Sequence, residues 1–241
     1  MSINLVKTPL KIILLCIGTA LSFCFTLPDD DDPYARDDYM RYDDFTYVDS
    51  IMSVQLFNSK SQLSYPIIGL QSGEVLEMHF DDLRKDNKIY HFTVIHCNAD
   101  WKPSELQKPD YIDGFFEDEI FEFQYSENTD VFYTHYSFNI PNENMKLTQS
   151  GNYLLKIYEV GNENKPIITK RFMVVQNNVN VRMTIKRATD INESYYRQEI
   201  DFKINHDGYD IKDPFQNLKV VLMQNYRWDN AIYGLKPVFI K

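Results

Sequence analysis

From about residue 51 onward, apolar residues recur at every second position in short runs that are separated by turn residues. The clearest runs are Leu76, Met78 and Phe80; Tyr90, Phe92 and Val94; and Phe132, Tyr136 and Phe138. Successive side chains of a β-strand point to opposite faces, so this period predicts strands with one buried face. The pattern contains no long amphipathic helix, and we expect an all-β fold.

Residues 151–175 have the pattern of a β-hairpin. Tyr153, Leu155 and Ile157 alternate after Gly151, residues 161–165 are polar, and a second apolar run follows over 166–175. Such a hairpin is typical of the closing pair of strands in an immunoglobulin-like sandwich. We therefore predict an immunoglobulin-like β-sandwich over residues 49–176.

After a polar hinge at 176–178, the spacing of strands starts again. Apolar runs over 179–185, 199–204, 218–223 and 237–240 predict the start of a second β-sandwich over 177–241. These runs are fewer than the roughly seven strands that a sandwich of this type contains. We expect the second sandwich to be incomplete and the sequence to be a fragment of a longer protein.

The N-terminal region differs in composition from the rest of the chain. Lys7 and Lys11 precede an apolar stretch with small residues at its end, which predicts a secretory signal peptide over 1–24. An Asp-rich segment follows, and we expect residues 25–48 to be a disordered, solvated leader because its charges repel one another. A Ca²⁺ site or an acidic docking tail is the alternative for this leader.

Charge and cysteine content exclude several classes of protein. The formal net charge is −10 and no cluster of Lys or Arg occurs, which argues against nucleic acid as a partner. Two of the three cysteines lie in or beside the predicted signal peptide, so Cys97 remains and no disulfide framework is expected. The core must be stabilised by burial alone.

No constellation of catalytic or metal-binding residues emerges from the sequence. His91 and His96 are an odd number of residues apart on one predicted strand and should face opposite ways, and Cys97 is expected to be a small buried residue. Glu117, Asp118 and Glu119 are interpreted as an acidic loop. We therefore predict no catalytic residue, no metal, no cofactor and no small-molecule substrate, and a protein that is not an enzyme.

Aromatic residues in loops are the candidate interaction residues. Trp101, Tyr226 and Trp228 lie in polar loop sequences and would be interface anchors if they are exposed. The alternative is that each indole ring fills the open end of its own sandwich.

Several segments together carry a resemblance to a known family. They include Ile95-His96-Cys97-Asn98-Ala99-Asp100-Trp101, Tyr111-Ile112-Asp113-Gly114-Phe115, Ser150-Gly151-Asn152-Tyr153-Leu154-Leu155-Lys156, Arg171-Phe172-Met173-Val174-Val175 and Arg227-Trp228-Asp229-Asn230. In order and spacing they resemble the plug proteins of the type IX secretion system of Bacteroidota, from about residue 51 to residue 241.

The resemblance implies a non-enzymatic periplasmic protein, exported by its signal peptide and associated with the outer membrane through its partner. The implied partner is the outer-membrane β-barrel translocon of that system, whose periplasmic opening the protein would occlude. Two alternatives remain: a carbohydrate-binding module, and an accessory N-terminal domain of an exported hydrolase.

Overall fold

The computed structural model describes residues 39–84, 88–192, 194–206 and 208–238, and the fold is given for these residues. The predicted signal peptide, and the leader up to residue 38, lie outside them. The first part of the chain contains the short helix α1 (Lys108–Tyr111) and twelve strands: β1 (Phe45–Thr46), β2 (Ile51–Asn58), β3 (Ile67–Gly69), β4 (Leu76–Asp82), β5 (Tyr90–Cys97), β6 (Ile112–Gly114), β7 (Glu117–Glu119), β8 (Glu122–Tyr125), β9 (Thr134–Ile140), β10 (Met145–Leu147), β11 (Gly151–Glu159) and β12 (Pro166–Val175).

Ten of these strands form the two layers of a sandwich. In the long sheet the order is β1-β12-β11-β5-β7, and β3 adds to β12 in parallel. In the short sheet the order is β2-β4-β9-β8, and all its neighbours are antiparallel. One cluster of buried apolar residues contains side chains from both sheets. The predicted all-β sandwich is confirmed.

The alternating runs form the strands that face the core. Burial alternates strictly along β4, where Leu76, Met78 and Phe80 are completely buried. Strand β11 pairs with β12 around a polar turn, as predicted. Phe132 is an exception: it precedes β9 and is exposed, so it does not share the buried face of Tyr136 and Phe138.

The expectation of a disordered leader is wrong for residues 39–48. Strand β1 pairs with the edge of β12, with Phe45 opposite Thr169, and the Tyr47 N–H donates to the Ile167 carbonyl over 2.9 Å. Asp44 is held in place by an ion pair with Lys170 at 2.8 Å. The pairing of β1 with β12 and the ion pair with Lys170 thus offset the repulsion between the Asp side chains of the leader, on which the expectation was based.

The second part of the chain forms two small hairpins. Its elements are β13 (Asn180–Arg187), β14 (Gln198–Asn205), helix α2 (Pro214–Asn217), β15 (Val220–Leu222) and β16 (Ile232–Leu235). Strand β13 pairs with β14, and β15 pairs with β16, both antiparallel. The last strand was predicted over 237–240; the strand found lies earlier, at β16, and pairs with β15, while residues 239–240 are outside the described range.

Candidate functional site

A second, smaller apolar cluster lies on the outer face of the long sheet. Leu154 sits between the core residues Tyr153 and Leu155, so it must point away from the core. Cys97 and Trp101 pack with Leu154, and four partly buried residues pack against these three. We call all seven the junction cluster: Leu154, Cys97, Trp101, Tyr42, Ile95, Met173 and Trp228. Because Trp228 comes from the second part of the chain, this cluster joins the two parts.

The two indole rings meet edge to face in this cluster. The ring centroids of Trp101 and Trp228 are 5.0 Å apart with an interplanar angle of 84°, a favourable aromatic geometry. Trp101 is only 4 % exposed. It also has a φ of 59°, a left-handed conformation that is unfavourable for a bulky residue. The surrounding contacts therefore hold this residue against a backbone preference.

The loop that presents Trp101 is organised by Asn98. The Asn98 side-chain oxygen accepts hydrogen bonds from the peptide N–H groups of Asp100 and Lys102, at 2.9 and 3.0 Å. The peptide N–H of Trp101 donates to the Asn98 carbonyl over 3.1 Å. These three bonds fold the loop back on itself and direct the indole onto the sheet.

Arg171 places its guanidinium beside both indole rings. Its central carbon is 4.5 Å from the Trp101 ring centroid and 5.5 Å from that of Trp228. The Arg171 Nε also donates to the Tyr42 carbonyl over 2.7 Å, and its peptide N–H donates to an Asp44 carboxylate oxygen over 2.7 Å. One cation thus ties the leader, the sandwich and the second part together.

Burial dominates the electrostatics of the junction cluster. It raises the pKa of Cys97 to about 11 and the pKa of Tyr42 to about 12, and it raises the pKa of Asp43 although Arg171 and Arg41 act in the opposite direction. A thiol with a raised pKa is not the thiolate that cysteine nucleophiles need. The prediction that Cys97 is a buried residue is confirmed, since it is 2 % exposed.

A second aromatic contact joins the two parts nearby. Tyr65 and Tyr226 stack with their ring centroids 3.6 Å apart, and the Tyr65 hydroxyl donates to the Asn225 carbonyl over 3.3 Å. Tyr65 and Tyr226 nevertheless remain 42 % and 50 % exposed. Together with Trp228, Tyr226 attaches the loop between β15 and β16 to the sandwich.

The structure brings the three predicted interface residues to one junction within the chain. Trp101 and Trp228 contact each other, and Tyr226 lies two residues from Trp228. The alternative, in which each indole fills the end of its own sandwich, is wrong because the rings pair across the two parts. Contact of Trp101, Tyr226 or Trp228 with another protein stays a prediction.

An exposed strip of aromatic residues was missed by the sequence analysis. It extends along the chain from the end of β6 through β7, at the edge of the long sheet, and β8, at the edge of the short sheet, to the start of β9. Phe115, Phe121 and Tyr125 are 64 %, 68 % and 62 % exposed. We call this strip the aromatic edge, and its exposed apolar residues are Phe115, Phe116, Phe121, Phe123, Tyr125, Val131 and Phe132.

The aromatic edge lies in a stretch of the sequence whose charged side chains are acidic. Between Lys108 and Lys146 the sequence contains nine Asp and Glu residues and no Lys or Arg. The sequence alone could have indicated this surface, because it combines several aromatic residues with a long stretch that contains no Lys or Arg. Single aromatic residues at a surface are common, but a group of them indicates an interaction surface.

The interpretation of residues 117–119 as an acidic loop is wrong. They form β7, which pairs with β5, so that Glu117 lies opposite Thr93. Each carboxylate has a partner: Glu117 accepts a hydrogen bond from the Tyr158 hydroxyl, Asp118 accepts one from the Asn142 side chain at 2.8 Å, and Glu119 is 3.7 Å from His91. Strand β5 pairs with β11 along one edge, and backbone pairing along its other edge accounts for a strand at these charged residues.

A histidine pair on the outer face of the short sheet was also missed. His79 on β4 and His135 on β9 are hydrogen-bonded over 3.1 Å, and His135 bonds Asp81 over 2.7 Å. The pairing joins residues far apart in sequence, which a local pattern does not reveal.

Within the described residues, no group of three or more His, Cys, Asp and Glu residues has the arrangement of a metal site. The same residues contain no helix long and apolar enough to cross a membrane.

Comparison with known proteins identifies the class of this sandwich. Residues 51–176 match the family model described as the type 9 secretion system plug protein 1st domain. The match spans more than half of the chain and coincides with the sandwich from β2 to β12. The chain therefore belongs to the type IX secretion system plug protein family. No curated protein matches the chain.

One solved structure supports the same fold. A crystal structure of a hypothetical protein from Parabacteroides merdae shares 31 % identity and a TM-score of 0.79, over 84 % of this chain and 51 % of that one. The chain thus spans about half the length of that relative. A DNA-bound alkylpurine DNA glycosylase, AlkC, from Pseudomonas fluorescens has 8 % identity and a TM-score of 0.29 over 53 % of this chain and 30 % of its own, too low to bear on the fold or the function.

Proposed function

We propose that this protein is an exported, non-enzymatic plug of the type IX secretion system. It acts in the periplasm, where it binds the outer-membrane β-barrel translocon and occludes its periplasmic opening. The observation that carries this proposal is the family match over residues 51–176. A rigid sandwich suits this role, because it can fill an opening without refolding and can leave it again intact.

The described surfaces favour protein binding over carbohydrate binding. A carbohydrate-binding module stacks exposed aromatic rings on sugar rings, and Trp101 and Trp228 were the candidates. Trp101 is buried and Arg171 lies beside both indoles, so those ring faces are occupied within the chain. The aromatic edge instead offers exposed rings beside an open strand, an arrangement that suits a polypeptide partner.

Affinity capture tests the proposed function. The tagged chain would be incubated with detergent-solubilised envelopes of its native host, and co-purifying proteins would be identified by mass spectrometry. We expect a very large outer-membrane β-barrel protein to be enriched over a tag-only control. Recovery of glycan-handling proteins alone, or of no partner by a folded bait, would contradict the proposal.

A further inference from the structure

We propose that strand β8 docks an extended, basic segment of a partner polypeptide by strand addition. This inference deepens the proposed function and rests on it only for the identity of the protein that carries the segment. Three observations carry it: the backbone of β8 is open on one side, exposed aromatic residues lie on it and next to it in the sequence, and its stretch of the sequence contains acids without Lys or Arg.

The open side of β8 follows from its register with β9. Strand β8 is the last strand of the short sheet, and within the described residues β9 is the one strand that pairs with it. The Ser126 N–H donates to the Tyr133 carbonyl over 2.9 Å, and Gln124 lies opposite His135 two residues further along. Hydrogen-bonded and non-bonded pairs alternate in an antiparallel ladder. Phe123 and Tyr125 therefore direct their peptide N–H and C=O groups away from β9.

Exposed side chains beside this backbone supply apolar contacts. All four residues of β8 are exposed, and the rings of Phe123 and Tyr125 meet at 5.5 Å between centroids. Phe121 directly precedes the strand. An added strand would place alternate side chains against these rings, and buried aromatic residues dominate the affinity of such interfaces.

The charges select which segment can bind. Glu122, Glu127 and Asp130 are exposed on or beside β8, and the sequence from 109 to 145 contains no Lys or Arg. A second copy of this edge would bring like charges together, and nucleic acid would be repelled for the same reason. An extended segment that alternates apolar residues with Lys or Arg could bond the outward N–H and C=O groups of β8, pack its apolar side chains on the rings and pair its cations with the acidic side chains.

A peptide of defined sequence tests the inference directly. The probe is a fluorescent, end-capped octapeptide of alternating Val and Lys, and the matched control probe alternates Val and Glu. We expect the whole chain to bind the Val/Lys peptide at least about tenfold more tightly in fluorescence anisotropy. We also expect this affinity to fall when NaCl is raised from about 0.05 to about 0.5 M, because the charges are exposed.

Two variants locate the binding to β8. Tyr125→Pro removes one outward-facing N–H while the ladder to β9 keeps its hydrogen bonds, as proline is tolerated on edge strands. We expect about tenfold weaker binding of the Val/Lys peptide. Glu122→Lys keeps the backbone intact and should weaken binding about fivefold, while Asp210→Lys makes the same charge change at an exposed loop of the second part and should leave it unchanged.

Several outcomes would overturn the inference. Equal affinity for the two peptides, or unchanged binding by Glu122→Lys and a folded Tyr125→Pro, would remove β8 as the docking strand. A wild-type dimer that Tyr125→Pro abolishes would assign the edge to a second copy instead. Peptide binding by a chain that captures no barrel from envelopes would count against the proposed function and would leave the docking strand supported.

Discussion

The junction cluster and the aromatic edge are both built from aromatic side chains, but they differ in exposure and in charge. At the junction, Trp101 is 4 % exposed and Arg171 lies beside both indoles. At the edge, Phe121 is 68 % exposed and no Lys or Arg occurs in the sequence between Lys108 and Lys146. The junction thus satisfies its rings and charges within the chain, whereas the edge offers both outward.

This difference separates residues that stabilise the protein from residues that are available to a partner. Trp101 and Trp228 are the two tryptophans of the chain, so its intrinsic tryptophan fluorescence reports on the junction. Unfolding free energy and fluorescence should therefore respond to substitutions at the junction and stay unchanged by substitutions at the edge. The predictions below test this separation.

The largest effect is expected from Trp101→Ala. Removing a buried indole leaves a cavity, and such truncations cost about 3 kcal/mol of unfolding free energy. The measurement is urea denaturation followed by far-UV circular dichroism, with the fluorescence of Trp228 shifting to longer wavelength as that ring becomes hydrated.

Two further substitutions at position 101 separate packing from backbone strain. Trp101→Gly should be less harmful than Trp101→Ala by up to about 1 kcal/mol, because glycine tolerates the left-handed φ of 59°. Trp101→Phe should cost least, since it keeps a ring and removes the indole N–H, which has no hydrogen-bond partner among the described residues. An alanine variant as stable as the wild type would contradict the role assigned to this cluster.

The next effect is a loss of stability at alkaline pH. An unfolded cysteine ionises near pH 8.5, whereas burial raises the pKa of Cys97 to about 11 in the folded chain. Cys97 therefore contributes stability that is fully present below about pH 8.5 and is lost as the pH rises towards 11, by about 2.5 kcal/mol at pH 10.5.

Comparison with Cys97→Ala isolates this contribution from other groups that titrate at high pH. Urea denaturation at pH 8 and pH 10.5 should show a larger loss for the wild type than for the variant. Equal losses would mean that the Cys97 pKa is not raised by folding.

Arg171 should have a smaller but specific effect. Arg171→Met removes the cation beside both indoles and the bond to the Tyr42 carbonyl, and we expect a loss of about 1.5 kcal/mol. Arg171→Lys keeps the charge but not the planar group, so it should recover only part of this loss. Full recovery by lysine, measured in the same denaturation assay, would show that stacking contributes nothing.

The elements that were predicted correctly depend on local patterns, and those that were missed depend on pairing across the chain. The alternation of Leu76, Met78 and Phe80 is visible within five residues, and it identifies β4 without knowledge of its neighbours. Strand β7 forms because it pairs with the edge of β5 that β11 does not cover, although the charges of Glu117 and Glu119 favour a loop. The junction likewise required Trp228 to be placed against Trp101, which no local period indicates.

The smallest effect on stability is expected from Phe121→Ser at the aromatic edge. Phe121 lies between β7 and β8, and its ring is mostly in contact with solvent, so the unfolding free energy should change by no more than about 0.5 kcal/mol. The tryptophan fluorescence should not change. Binding of the Val/Lys peptide should nevertheless weaken several-fold, because the ring would be buried only in the complex. A variant that loses stability but keeps peptide binding would reverse the roles assigned to the two regions.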